Sequence, residues 1–232
     1  MCYLKHSLES YLNHHYSAHV FIYKRTAFTR RLSMESLFTG LTMGLSLIVA
    51  IGAQNIWVLS QSMRSEYRFT IASVCILCDV GLITLGVFFA VKLQAYLPSL
   101  LPVFVWGGVL FLSWLAYQAL CRAYKGRYQL SISSSSDQNR LQIAAAAFSI
   151  SLLNPHVYLD TVILLGNIGG MQERPNVFAL GAALASVFWF SVLTYFAPKL
   201  KIWLNSPLRW RVFDCFIAAF LILIAIKLLD VL

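Results

Sequence analysis

From residue 37 onward the chain is a succession of apolar stretches, each long enough to cross a bilayer. A hydrocarbon core of about 30 Å takes about 20 helical residues. Six blocks reach that length, at approximately 37–61, 69–91, 99–121, 141–169, 176–198 and 211–230. The third carries no charged side chain from Leu93 to Cys121, and the fifth none from Pro175 to Pro198. Hydrophobic residues make up 59% of the chain and charged residues 12%, against roughly half and a quarter in soluble domains. A water-soluble core of this size could not hide so much apolar surface. The expected class is an all-α, multi-pass integral membrane protein.

The net charge of +9 does not point to nucleic acid, because the Lys and Arg residues sit between the apolar blocks. Arg64 and Arg68 follow the first block, Arg122, Lys125, Arg127 and Arg140 the third, and Lys199, Lys201, Arg209 and Arg211 the fifth. The opposite loops hold only Lys92 and Arg174. The positive-inside rule makes the basic loops cytoplasmic. Residues 1–33 differ from the rest, with four of the five histidines and no sustained apolar run. Met34 directly precedes the first block, so translation is expected to start there. The basic extension, if made, pulls the first helix toward the opposite orientation. Residues 131–140, rich in Ser, read as a flexible cytoplasmic linker between two three-helix halves, 34–130 and 141–232. Cys75 and Cys78 form a C-x-x-C in mid-span, without the strand-to-helix context of a redox motif. Intramembrane thiols otherwise behave as small hydrophobes.

The halves resemble each other. Asn55-Ile56-Trp57-Val58-Leu59 in the first block echoes Asn154-Pro155-His156-Val157-Tyr158-Leu159 in the fourth. With three spans in each half, a repeat must be inverted. Six transmembrane helices as two inverted three-helix repeats, with interrupted helices at matching positions, point to the binding site of a secondary transporter. Asn154-Pro155 interrupts the fourth block, since proline leaves carbonyls of the preceding turn without a donor.

Polar residues inside these blocks are the candidates for function. An ionised carboxylate at helix centre costs about 2.5–3.5 kcal/mol on insertion scales, so Asp79 and Asp160 must face protein or water. Either they bind substrate and protons, or they are neutral and hydrogen-bonded between helices. If the helix after Pro155 is regular, His156 and Asp160, four apart, share a face and could exchange a proton. Gln54 and Asn55 offer donors and acceptors together, which suits an amino acid better than a bare ion. Gly40-x-x-x-Gly44 reads as a helix-packing signal. Asp214 and Asp230 are expected to be solvated or capping, Lys227 to snorkel, and Trp106, Trp114, Trp189, Trp203 and Trp210 to serve interface and packing. No phosphate-binding loop ending in Lys-Ser or Lys-Thr is present, so neither ATP nor any cofactor is expected.

Gly52-Ala53-Gln54-Asn55, Cys78-Asp79, Trp106-Gly107-Gly108, Asn154-Pro155-His156-Val157-Tyr158-Leu159-Asp160-Thr161 and Phe178-Ala179-Leu180-Gly181 closely resemble the LysE/ArgO family of basic amino acid exporters. The resemblance runs from Met34 to Leu232. It implies a secondary-active exporter of L-arginine, with L-lysine as a further candidate, in the bacterial inner membrane, exchanging substrate for protons and not acting as an enzyme. Its partners would be the amino acid, protons and the lipid bilayer, with self-association left open. Gln54, Asn55, Asp79, Asn154, Pro155, His156 and Asp160 would bind substrate, and Asp79, Asp160 and His156 would couple to protons. The family commonly has Pro where Ala53 stands, so a softer first break is expected. Three rivals fit less well: an exporter of neutral amino acids or a metal cation, an intramembrane aspartyl protease, and a structural scaffold.

Overall fold

The computed structural model describes residues 31–50, 52–64, 67–125, 139–154, 157–204 and 206–230. Residues 1–30, most of the Ser-rich linker, Pro155 and His156 lie outside the described residues. All regular structure within them is helical. Helices α1 (Arg31–Ile48) and α2 (Ala53–Arg64) meet at 77°. Helix α3 runs over Arg68–Lys125, and α4 over Arg140–Leu152. A π-helix, Tyr158–Leu165, leads into the short α5, Gly166–Gly170. The chain ends with α6 (Pro175–Trp203) and α7 (Pro207–Leu229).

Four stretches are long and apolar enough to cross a bilayer: Arg68–Ala90, Ser99–Tyr124, Pro175–Trp203 and Pro207–Leu229. The bent α1–α2 pair supplies a fifth if counted as one span. The block expected at 141–169 is divided among α4, the π-helix and α5, each too short to cross alone. Asn139 and Arg140, assigned to the linker from sequence, instead belong to the start of α4.

Helix α3 contains two of the spans and cannot be one straight rod. Its 58 residues would reach about 87 Å at 1.5 Å per residue. Cys75 in its first span lies 3.8 Å from Ser151, while Gly108 in its second backs onto the carbonyl of Leu153. Two groups touching neighbours only two residues apart cannot be separated by the about 50 Å that 33 straight helical residues would impose. The helix therefore folds back between Ala90 and Ser99.

Glycine lets the helices meet closely. A β-carbon on Gly40 would run into the Phe178 carbonyl, and one on Gly181 into the Leu37 carbonyl, so α1 and α6 cross backbone to backbone. Gly44 lies against Ala182 and Ala185 in the same crossing, which bears out the packing role read from the Gly40-x-x-x-Gly44 spacing. Gly86 and Gly166 make a second close crossing, between the first span of α3 and α5. The main apolar core, including Trp57, Ile71, Leu112, Ile150, Phe190 and Leu221, draws on α2, both spans of α3, α4, α6 and α7. The outside is also apolar: Leu77, Leu110, Phe188 and Phe216 are more than half exposed. Soluble proteins rarely show apolar surface on that scale, and a lipid-facing surface accounts for it.

Charges gather at one end of the bundle. Arg64 at the end of α2 and Arg122 near the end of α3 both reach Asp214 near the start of α7, at 2.6 and 3.4 Å. Arg140, opening α4, donates to the Thr70 hydroxyl at the start of α3 (3.0 Å). The basic residues of alternate loops thus lie together, as the charge pattern predicts for one membrane face.

Candidate functional site

Both interrupted helices open onto one cavity of about 450 Å³, within the range of small-molecule sites. Its lining includes Ala50, Gly52, Gln54 and Asn55 from the first interruption and Asn154, Val157, Asp160 and Thr161 from the second. Asp79 enters from the middle of the first span of α3, Phe190 from α6, and Phe220, Leu223, Ile224 and Lys227 from α7. Five of the seven residues expected from sequence therefore line a single space. The other two, Pro155 and His156, fall outside the described residues.

The first interruption is held by Asn55. Its amide N–H groups donate to the carbonyls of Ile48 and Ala50, each at 2.8 Å. These are carbonyls that the end of α1 leaves without helical partners. Its Oδ1 accepts from the Trp189 indole at 3.1 Å, which ties the break to α6. Ala53, where the family commonly has Pro, opens α2 at 77° to α1, with the Asn55 side chain satisfying the turn.

Gln54 joins the two interruptions directly. Its Nε2 donates to the Ser151 hydroxyl at 3.1 Å, and Ser151 in turn donates to the Ala147 carbonyl at 2.9 Å within α4. The second interruption begins at Leu153, and the Val157 amide closes a turn onto the Asn154 carbonyl (3.1 Å). From Tyr158 the chain winds as a π-helix, whose wider turn is rare and recurs at functional sites. The π-helix replaces regular α-helical winding from Tyr158 onward, and His156, the expected partner of Asp160, lies outside the described residues. Asp160 lies in the first turn of the π-helix, and Phe104 stacks on Tyr158 with centroids 4.5 Å apart.

Asp79 is buried, with 7% of its surface exposed. It accepts a hydrogen bond from Ser186 of α6 at 2.8 Å. A carboxylate so placed is desolvated on one side and opens to the cavity on the other, the arrangement expected of intramembrane carboxylates that handle charge. Cys75 and Cys78 are free thiols, one helical turn and one residue before Asp79 in the chain, and no group of three or more metal-binding side chains occurs among the described residues.

The arrangement, two broken helices contributing to one cavity with a carboxylate beside each, matches a translocator. A family description, "LysE type translocator", covers residues 45–230. The chain belongs to the LysE family. It is 36% identical to the "Arginine exporter protein ArgO" of Serratia proteamaculans (strain 568) over 192 residues, 82% of this chain and 93% of that protein. It is 38% identical over 191 residues to the "Putative amino-acid transporter YggA" of Aeromonas salmonicida, with the same coverage. A second "Arginine exporter protein ArgO", from Yersinia enterocolitica, is 37% identical over 192 residues. No solved structure matches the chain.

Three features of this LysE-family chain escape the sequence. Asp214 is wholly buried and paired with two arginines, not solvated; nothing local signals that Arg64, 150 residues earlier, would reach it. Arg64 also stacks over Trp210 at 4.4 Å. Trp189 acts as a hydrogen-bond donor inside the site. Lys227, expected to snorkel, is exposed in the last turn of α7 and borders the cavity.

Proposed function

We propose that this LysE-family protein is a secondary-active exporter of basic amino acids, L-arginine foremost and L-lysine as a further substrate, working across the bacterial inner membrane by proton exchange. The observation that carries this reading is the shared cavity, in which Asp79 and Asp160 stand beside two interrupted helices. The names borne by its relatives support arginine as cargo. Six spans arranged as two inverted repeats, 34–130 and 141–232, account for two interrupted helices meeting near the bundle's middle. The bent α1–α2 pair and the chain from α4 to α5 are then corresponding first spans.

With the basic end in the cytoplasm, the cavity extends from mid-bundle toward the outside, since Lys227 lies about 20 Å along α7 from Asp214 at 1.5 Å per residue. The Arg64–Asp214–Arg122 cluster then closes the cytoplasmic side, and loading requires those contacts to part. Expelling one positive charge against an inside-negative potential costs about 2.3 kcal/mol per 100 mV. Exchange for one incoming proton cancels that electrical cost. In this scheme Asp79 and Asp160 hold substrate cation and proton in turn. Gln54 and Asn154 orient the amino acid, and Asn55 and Pro155 preserve the breaks. His156 passes protons to and from Asp160.

Arginine efflux from loaded proteoliposomes, with and without a proton gradient, tests the reading. Wild-type protein should accelerate efflux when the gradient is imposed, and Asp79→Asn and Asp160→Asn should abolish the acceleration. Normal efflux by either variant removes that carboxylate from the mechanism. Competition by unlabelled neutral amino acids or divalent cations at concentrations where lysine competes would favour the alternative cargo.

A further inference from the structure

The charges lining the cavity have a pattern that matches more than a cation. Two are carboxylates, Asp79 and Asp160, and one is an ammonium, Lys227. A basic amino acid presents the opposite set: a side-chain cation, an α-ammonium and one α-carboxylate. We propose that Lys227 is the residue that recognises the substrate's α-carboxylate, and so restricts export to amino acids over the corresponding decarboxylated amines. This rests on the reading of the cavity given above.

The position of Lys227 on α7 supports the assignment. Phe220, Leu223, Ile224 and Lys227 all line the cavity and follow one another at spacings of three, one and three, which places them on one helical face. Lys227, itself exposed, therefore stands at the end of an apolar stretch of the cavity lining. No carboxylate among the described residues pairs with it; the ion pairs found there involve Arg31, Arg64 and Arg122. A lysine held at a cavity without a protein anion is available to a ligand anion.

Charge balance favours the same role. With both aspartates ionised and Lys227 protonated, the lining carries one net negative charge. One cationic amino acid, net +1, neutralises it. So does one proton on either aspartate when the substrate has left. The loaded and returning cavities are then equally neutral, and the apolar bundle never has to reorganise around an unbalanced charge, which low-dielectric surroundings make costly. Without Lys227 the lining would carry two negative charges, and a single monovalent substrate would leave one over.

The test uses the full-length protein in proteoliposomes, with radiolabelled L-arginine and agmatine, which is arginine without its carboxylate. Wild type should prefer arginine. Lys227→Gln should raise the KM for arginine about tenfold or more, the effect of losing one charge-assisted hydrogen bond, while leaving agmatine transport at or above its wild-type level. Lys227→Arg should keep most of the preference. An unchanged arginine-to-agmatine ratio in Lys227→Gln overturns the assignment, and so does equal loss of both substrates, which marks a structural role or simple snorkelling to the interface. Failure of the underlying reading is distinguishable: it appears as undiminished arginine export by Asp79→Asn and Asp160→Asn. Inactive aspartate variants beside an unchanged ratio in Lys227→Gln reject Lys227 alone.

Discussion

Replacing Asp214 with asparagine should destabilise the folded protein severely, although the residue lies far from the cavity. Asp214 is fully buried and accepts from Arg64 at 2.6 Å and Arg122 at 3.4 Å. Removing one partner of a buried ion pair costs about 3–5 kcal/mol, because the remaining charge stays desolvated. Arg122 is 36% exposed and its contact is long, so solvent screens its share. Arg64 is only 18% exposed, and the Trp210 ring over which it stacks shelters it without neutralising it. Asparagine also retains one acceptor. The expected loss therefore lies near the lower bound, about 3 kcal/mol, or more than a hundredfold in the folded-to-unfolded ratio. SDS titration of the purified protein in mixed micelles, followed by tryptophan fluorescence, measures it. The companion variant Asp214→Leu with Arg64→Met removes the two more buried charges, leaving only the more exposed Arg122, and should recover most of the loss. A single variant within about 0.5 kcal/mol of wild type, the usual range for surface changes, refutes the argument. So does a double variant no better than the single one, since the penalty would then not be an unpaired charge.

Asn55→Leu should cost about 2–3 kcal/mol in the same titration, because the Ile48 and Ala50 carbonyls and the Trp189 indole lose their partner together. Gly86→Leu should reduce folded yield sharply, since its β-carbon would stand 2.7 Å from the Thr161 carbonyl oxygen and 2.9 Å from the Val162 Cα. Gly81→Ala, where a β-carbon meets nothing within 4 Å, should be neutral or gain up to about 1 kcal/mol from helix propensity. Ser186→Ala removes the hydroxyl that donates to Asp79 and should lower arginine efflux about tenfold at subsaturating substrate, the effect of one hydrogen bond to a charged group.

The cavity is largely legible in the sequence. Intramembrane polar groups are costly enough that Gln54, Asn55, Asp79, Asn154 and Asp160 announce themselves in an apolar context, and all five line it. Their division of labour was not legible. Whether an amide holds its own backbone or faces a ligand depends on which carbonyls the bend leaves free, and Asn55 is committed to two of them. The π-helix at Tyr158–Leu165 was equally hidden, because its residues have the same composition as an α-helical span.

By itself the sequence determined that this chain lives in a bilayer as apolar helices, which of its faces is basic, where two helices are interrupted and to which family it belongs. Those properties follow from the cost of exposed apolar surface and of buried charge, which each residue carries wherever it stands. Only the tertiary structure decided that Asp214 is sealed beneath Arg64 and Arg122, that α3 doubles back, and that Lys227 borders the cavity shared by the two interruptions. Those depend on partners 150 and 92 residues away for Asp214 and on which helix face meets which. Local composition does not encode such pairings, because an apolar helix can present any face to lipid at nearly equal cost until the crossings at Gly40, Gly86 and Gly181 select one.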